Sequence, residues 1–184
     1  MNSLIYLENI GFKVCWKLIK IGLCGDGHIP IVLTYDEILD YLDDLLSNNT
    51  IQTEHIIALI CEKDNTEKFN QILWEFAFEE NTNITLQKRK WIAYLLNKTL
   101  DALSKDCLQG MLELTEFWVT VGNLKVCPMT FPEKNNSQSI NEFFSRSSYE
   151  INLEKNQKWL NKEIDEIVAL EVHSPYLSER DCHR

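Results

Sequence analysis

Apolar residues recur along this chain at helical spacing in one segment after another. From Val14 to Leu23, at 100° per residue, they surround most of a wheel while Lys13, Lys17 and Lys20 share one narrow stripe, which predicts a largely buried helix. The stretch LCGDGHIP, residues 23–30, reads as the end of that helix. Gly25 or Gly27 supplies the left-handed conformation, Asp26 suits the turn, and Pro30 blocks helical continuation. Thr34 and Glu37 then stand at capping-box spacing and open a helix that runs to about Ser47. TEHIIALIC, residues 53–61, reads as either a buried strand or a helix; Thr53 as a cap and the helical neighbours favour helix. Asp64 and Glu67 repeat the capping-box spacing before EKFNQILWEFAFEE, where Phe69, Ile72, Leu73, Phe76 and Ala77 line one face.

TLQKRKWIAYLLNKTLDALSKD is the longest periodic run, with Leu86, Ile92, Leu95, Leu96, Leu100 and Leu103 on a wide arc, and is expected to be the central helix. Leu112 to Val121 continues helically, with VTV-GN-LKV as a small β-hairpin near residues 117–127 the alternative. Pro128 and Pro132 bracket a polar surface loop. Ser139 with Glu142, and Ser147 with Glu150, restart a helix that extends to about Val172. The expected fold is therefore all-α, a compact array of antiparallel helices over residues 1–172 as one domain, with residues 173–184 a loosely held tail.

Composition agrees with this pattern. Six glycines and four prolines in 184 residues leave little material for the turns of an all-β fold, and no linker-like stretch divides the chain. Glu8, Lys13, Lys17 and Lys20 interrupt the amino-terminal apolar residues before a signal core or membrane span forms, so a cytoplasmic location is expected. The cysteines at 15, 24, 61, 107, 127 and 182 lack paired spacing and mostly sit in apolar runs, where a reduced thiol behaves as a small hydrophobe. In a cytosolic chain, the N-x-S/T matches at Asn48, Asn83, Asn97 and Asn135 carry no meaning. A net charge of −10 argues against nucleic acid and anionic membranes as partners and in favour of a basic protein.

Catalytic and cofactor chemistry finds few of its parts. Cys24 and His28, with the adjacent Cys182 and His183, lack the two-knuckle spacing of a zinc module, so no metal is expected. CGDGH has two glycines but neither dinucleotide-fold spacing nor a Gly-Lys-Ser/Thr ending, and no cofactor is expected either. No serine or cysteine lies in a nucleophile signature, which favours a non-enzymatic role. Trp16, Trp74, Trp91, Trp118 and Trp159 fall in apolar periodic segments and are expected in the core. Lys88, Arg89 and Lys90 read as a solvated helix start or ion-pair donors, and His55 as an ordinary helix residue.

One surface stands out. In YDEILDYLDDLLS the residues Asp36, Glu37, Asp40, Asp43 and Asp44 fall within about 120° of a helical wheel, opposite Ile38, Leu39, Leu42, Leu45 and Leu46. From Ile21 to Glu62 the chain contains no lysine or arginine to neutralise them locally. The like-charge neighbours Asp36/Asp40 and Asp40/Asp44 each cost roughly 0.2–0.5 kcal/mol, so helix stability alone does not select this face. It reads as a docking surface for a basic protein, against the plainer reading of a solvated face or one opposed by Lys13, Lys17 and Lys20.

VCWKLIKIGLCGDGHIP followed by an acidic helix, then KRKWIAYLL and a proline-flanked loop, together resemble an uncharacterised family of small acidic bacterial proteins. That family is similar to the immunity proteins of polymorphic toxin systems. The resemblance implies a helical cytosolic protein that neutralises a cognate toxin, with the acidic face steering it toward a basic, nuclease-type target. A helical enzyme or ligand-binding domain with an internal pocket is the competing class, and a regulatory or scaffold protein the third.

Overall fold

In the computed structural model, which describes residues 2–47, 53–122, 125–129 and 140–173, most helices begin where a short polar side chain bends back onto the backbone. Asn2 accepts from the Leu4 N–H at 2.9 Å and starts α1 (Ser3–Asn9). Asn65 accepts from Lys68 N–H at 3.1 Å and starts α5 (Thr66–Glu79); Asp106 accepts from Gln109 N–H at 2.9 Å and starts α7 (Cys107–Thr120). Asn83 serves the amides of Thr85 and Leu86 at the start of α6 (Ile84–Ala102). Each such cap contributes about 0.5–2 kcal/mol. The expected cap at Asp64 thus moves one residue on, to Asn65.

α2 (Trp16–Cys24) is the exception, because Cys15 makes no side-chain cap. The carboxylate of Glu80, just after α5, instead accepts from the Trp16 and Lys17 amides at 3.2 and 2.9 Å. α3 (Tyr35–Ser47) and α4 (Thr53–Cys61) follow in order, then after α7 a single turn α8 (Ile140–Phe143) and α9 (Arg146–His173). At 28 residues α9 exceeds the 19 of α6, the run expected to be longest. Its first turn is served by Ser145, whose hydroxyl accepts from the Ser148 N–H at 3.3 Å.

The described residues are helices and connections without a strand, so the all-α expectation holds. The hairpin alternative near 117–127 gives way to helix, since the Asp106 cap commits the backbone from Cys107 and the periodicity carries it to Thr120. Asn123 of its expected turn, the polar loop over 130–139 and tail residues 174–184 lie outside the described residues.

The described residues form two compact units, those between 2 and 91 with 167–173, and those between 92 and 166. In the first, α1 packs on α3, α3 on α4, α4 on α5 and α2 on α5. Leu4, Leu7, Leu18, Ile38, Leu42, Leu59, Leu73 and Trp91 are completely buried there. Gly22 permits this packing: a Cβ on it would run into the Trp91 ring and approach Leu33 Cδ1 to 2.7 Å. Trp91 in turn donates its indole N–H to the Leu18 carbonyl at 2.9 Å, as a buried indole must to avoid an orphaned donor.

The same unit contains a buried ion pair. Lys90 Nζ lies 2.5 Å from Glu171 Oε1, with both side chains all but excluded from water. Lys90 also donates to the Lys13 carbonyl at 2.6 Å, and Glu171 Oε2 accepts from the Lys13 N–H at 2.9 Å. Of the two sequence readings for Lys90, a solvated helix start or an ion-pair donor, the second holds, and the side chain is wholly buried among partners 77 and 81 residues away in sequence.

In the second unit, Leu96, Met111, Leu114, Trp118 and Leu160 form the core. Trp118 donates to Asn156 Oδ1 at 2.7 Å and meets Trp159 edge-on with centroids 4.9 Å apart. Asn156 passes its own amide to the Asn152 carbonyl at 2.7 Å, so the buried polar groups on α9 are satisfied in series.

Candidate functional site

The acidic face of α3 is positioned by its first turn. Glu37 Oε2 accepts from the Thr34 amide at 3.1 Å while Thr34 Oγ1 accepts from the Glu37 amide at 3.2 Å, closing the reciprocal cap that the sequence spacing announces. The other Glu37 oxygen accepts from the Ser3 hydroxyl at 3.0 Å, and the Glu37 carbonyl accepts from Asn2 Nδ2 at 2.6 Å. Partial burial works to raise the Glu37 pKa, but the Thr34 amide and the Ser3 and Thr34 donors outweigh it and hold the carboxyl below its usual range. Farther along, Tyr41 is buried and donates to Glu8 Oε1 at 2.7 Å, a second tie between α3 and α1.

These ties sort the five acidic residues. Glu37, at the edge of the arc, is half-buried and turned onto α1. Asp36, Asp40, Asp43 and Asp44 are exposed and share about 100° of the wheel. Among the described residues, no lysine or arginine forms an ion pair with Asp36, Asp40 or Asp43.

The lysine stripe of the preceding helix does not oppose this face. Lys17 donates to the carbonyls of Glu80 and Thr82 at 2.8 and 3.0 Å, and Lys13 to the Glu171 carbonyl at 3.2 Å. Lys20 stands over the Trp74 ring, its ammonium 2.9 Å from the centroid. All three are held by groups at least 54 residues distant in sequence, which local periodicity does not reveal.

LCGDGHIP is a shaped turn. Gly25 has φ 70° and ψ −178°, a region closed to other residues, and its N–H returns to the Ile21 carbonyl at 2.8 Å. Asp26 pairs with Lys88 at 2.5 Å, His28 and Cys24 are exposed, and the Gly22 carbonyl takes both the Val32 and Leu33 amides. Cys182 and His183 lie outside the described residues, and among those described no three His, Cys, Asp or Glu side chains gather to hold a metal ion.

Two expectations about the interior are corrected. Trp16, Trp91 and Trp118 are buried and Trp159 partly so, but Trp74 is 52% exposed because it sits on the outer side of α5. Of the five described cysteines only Cys15 is buried, where desolvation chiefly, with the Glu80 charge beside it, raises its pKa to about 12. Cys24 and Cys61 are exposed, Cys107 and Cys127 half-buried, and all five are free thiols.

Residues 5–164 match the family described as "Uncharacterized protein conserved in bacteria (DUF2247)". The chain belongs to DUF2247. No curated protein and no solved structure matches it. The family assignment covers both α3 and the lysine-striped α2, so the acidic face belongs to the part of the chain that DUF2247 spans. No helix among the described residues is long and apolar enough to cross a membrane.

Proposed function

We propose that this DUF2247 protein is a non-enzymatic binding protein of the bacterial cytoplasm that neutralises a cognate toxin, using the α3 face to attract a basic, nuclease-type partner. The observation that carries the reading is the set of exposed carboxylates at Asp36, Asp40, Asp43 and Asp44, of which the first three have no cationic partner among the described residues. A chain selected only for stability gains from an i,i+4 lysine on such a face, worth about 0.3–0.5 kcal/mol per pair, and α3 has none. Unpaired carboxylates on a rigid, well-capped helix instead raise the local concentration of a positively charged protein and accelerate its encounter.

The test is protection from the toxin. The product of the reading frame adjoining this gene is expressed in a host with the wild-type protein or with its Asp40→Asn/Asp43→Asn/Asp44→Asn variant. Wild type restores growth, and the variant restores it only at higher expression. Equal protection by the two removes the role of α3, and no protection by either removes the toxin reading.

A further inference from the structure

Two exposed aromatic side chains of the first unit lie one turn apart on α5. Trp74 is 52% and Phe78 88% exposed, on the side of the helix opposite the buried Phe69 and Leu73. Single exposed apolar residues are ordinary, but a tryptophan and a phenylalanine at i and i+4 present two aromatic rings one turn apart on one side of a regular helix. The Lys20 ammonium seated on one face of Trp74 fixes that ring, leaving Phe78 open. The exposed carboxylates of Glu75 and Glu79 flank the pair along α5.

We propose that Trp74 and Phe78, rimmed by Glu75 and Glu79, form a docking surface for a cationic segment of a protein partner, its Arg or Lys side chains lying on the open Phe78 ring and against the two carboxylates. This rests on the reading of the protein as a binder of basic proteins. Aromatic faces bind cations, and Trp is enriched among the residues that dominate interface energetics. Charge selects this occupant over a second copy of the chain. A second copy would bring the same rim carboxylates, and a further net charge of −10, onto this face. Lys20 on Trp74 pre-pays the ordering of one anchor, since its ring is already held when the partner arrives.

The probe is a synthetic amphipathic helical peptide with leucines along one face and arginines beside them, compared with the same peptide carrying glutamates for the arginines. Affinity is measured by calorimetry, and rates by surface plasmon resonance, on the full-length protein. The arginine peptide binds the wild type and the glutamate peptide does not. Trp74→Ala and Phe78→Ala each weaken binding about tenfold, chiefly through faster dissociation. Both sites are solvent-facing, so unchanged circular dichroism separates this loss from unfolding, and Glu75→Gln/Glu79→Gln gives a partial loss without touching the rings. Wild-type affinity in the two alanine variants, or failure of the arginine peptide to bind the parent, overturns the proposal. Asp40→Asn/Asp43→Asn/Asp44→Asn serves as the separate arm: if it leaves association unchanged while Phe78→Ala does not, the α3 reading fails and the α5 surface stands.

Discussion

Replacing Lys90 by methionine tests whether the first unit is held by its buried ion pair. Methionine fills much of the lysine stem but removes the ammonium, so Glu171 keeps a charge in a site from which water is excluded. Breaking one side of such a pair costs about 3–5 kcal/mol, because the remaining charge has lost its compensation. Glu171→Met leaves the Lys90 ammonium in the same position and costs a similar amount. The double variant removes both charges and strands only the Lys13 N–H and carbonyl, which these side chains serve at 2.9 and 2.6 Å. Two such backbone groups cost about 1–3 kcal/mol apiece if fully buried, and less here because Lys13 is exposed. The double variant is therefore more stable than either single one. Urea denaturation followed by circular dichroism gives the three values, and hydrogen exchange at Lys13 reports the local loosening. A cost below about 1 kcal/mol for Lys90→Met, or singles that add to give the double, would refute the reasoning.

Three other outcomes follow from named contacts. Gly22→Ala gains about 1 kcal/mol in helix propensity but drives a methyl into the fully buried Trp91 ring, and overpacking of about 1–3 kcal/mol leaves the variant less stable in thermal denaturation. Glu37→Gln flattens the acid limb of the stability curve. The Glu37 carboxyl is held below its usual range when folded, so its contribution is complete above the unfolded-state pKa and is lost as pH falls through the folded one. Asp40→Asn relieves both like-charge pairs, Asp36/Asp40 and Asp40/Asp44, and leaves the protein in thermal denaturation as stable as the wild type or more stable by about 0.2–0.5 kcal/mol per pair.

Local chemistry was legible and distant chemistry was not. Thr34 and Glu37 stand three residues apart and form the reciprocal cap that their spacing announces. The same is true of the Gly25 turn, whose conformation excludes side chains. The partners of Lys13, Lys17 and Lys90 were not legible for a common reason: their acceptors, from Glu80, Thr82, Glu171 and the Lys13 backbone, become neighbours only when α2, α5, α6 and the end of α9 come together. Trp74 failed as a core assignment because an apolar periodic segment does not say where its buried face ends: Phe69, Leu73 and Ala77 are buried and Phe76 packs on Trp16 and His55, while Trp74 lies outside that face. Of the five acidic residues on α3, the sequence grouped all together, and the tie to Ser3 and Asn2 in α1 separates Glu37 from the rest.

The α3 claim is tested most directly by the association rate with a basic partner recovered from the native cell, measured against salt for the wild type and for Asp40→Asn/Asp43→Asn/Asp44→Asn. Steering by these carboxylates predicts a wild-type rate that falls as salt rises, and a variant rate that is several-fold lower at low salt and nearly flat. Identical rates and identical salt dependence in the two proteins would contradict it.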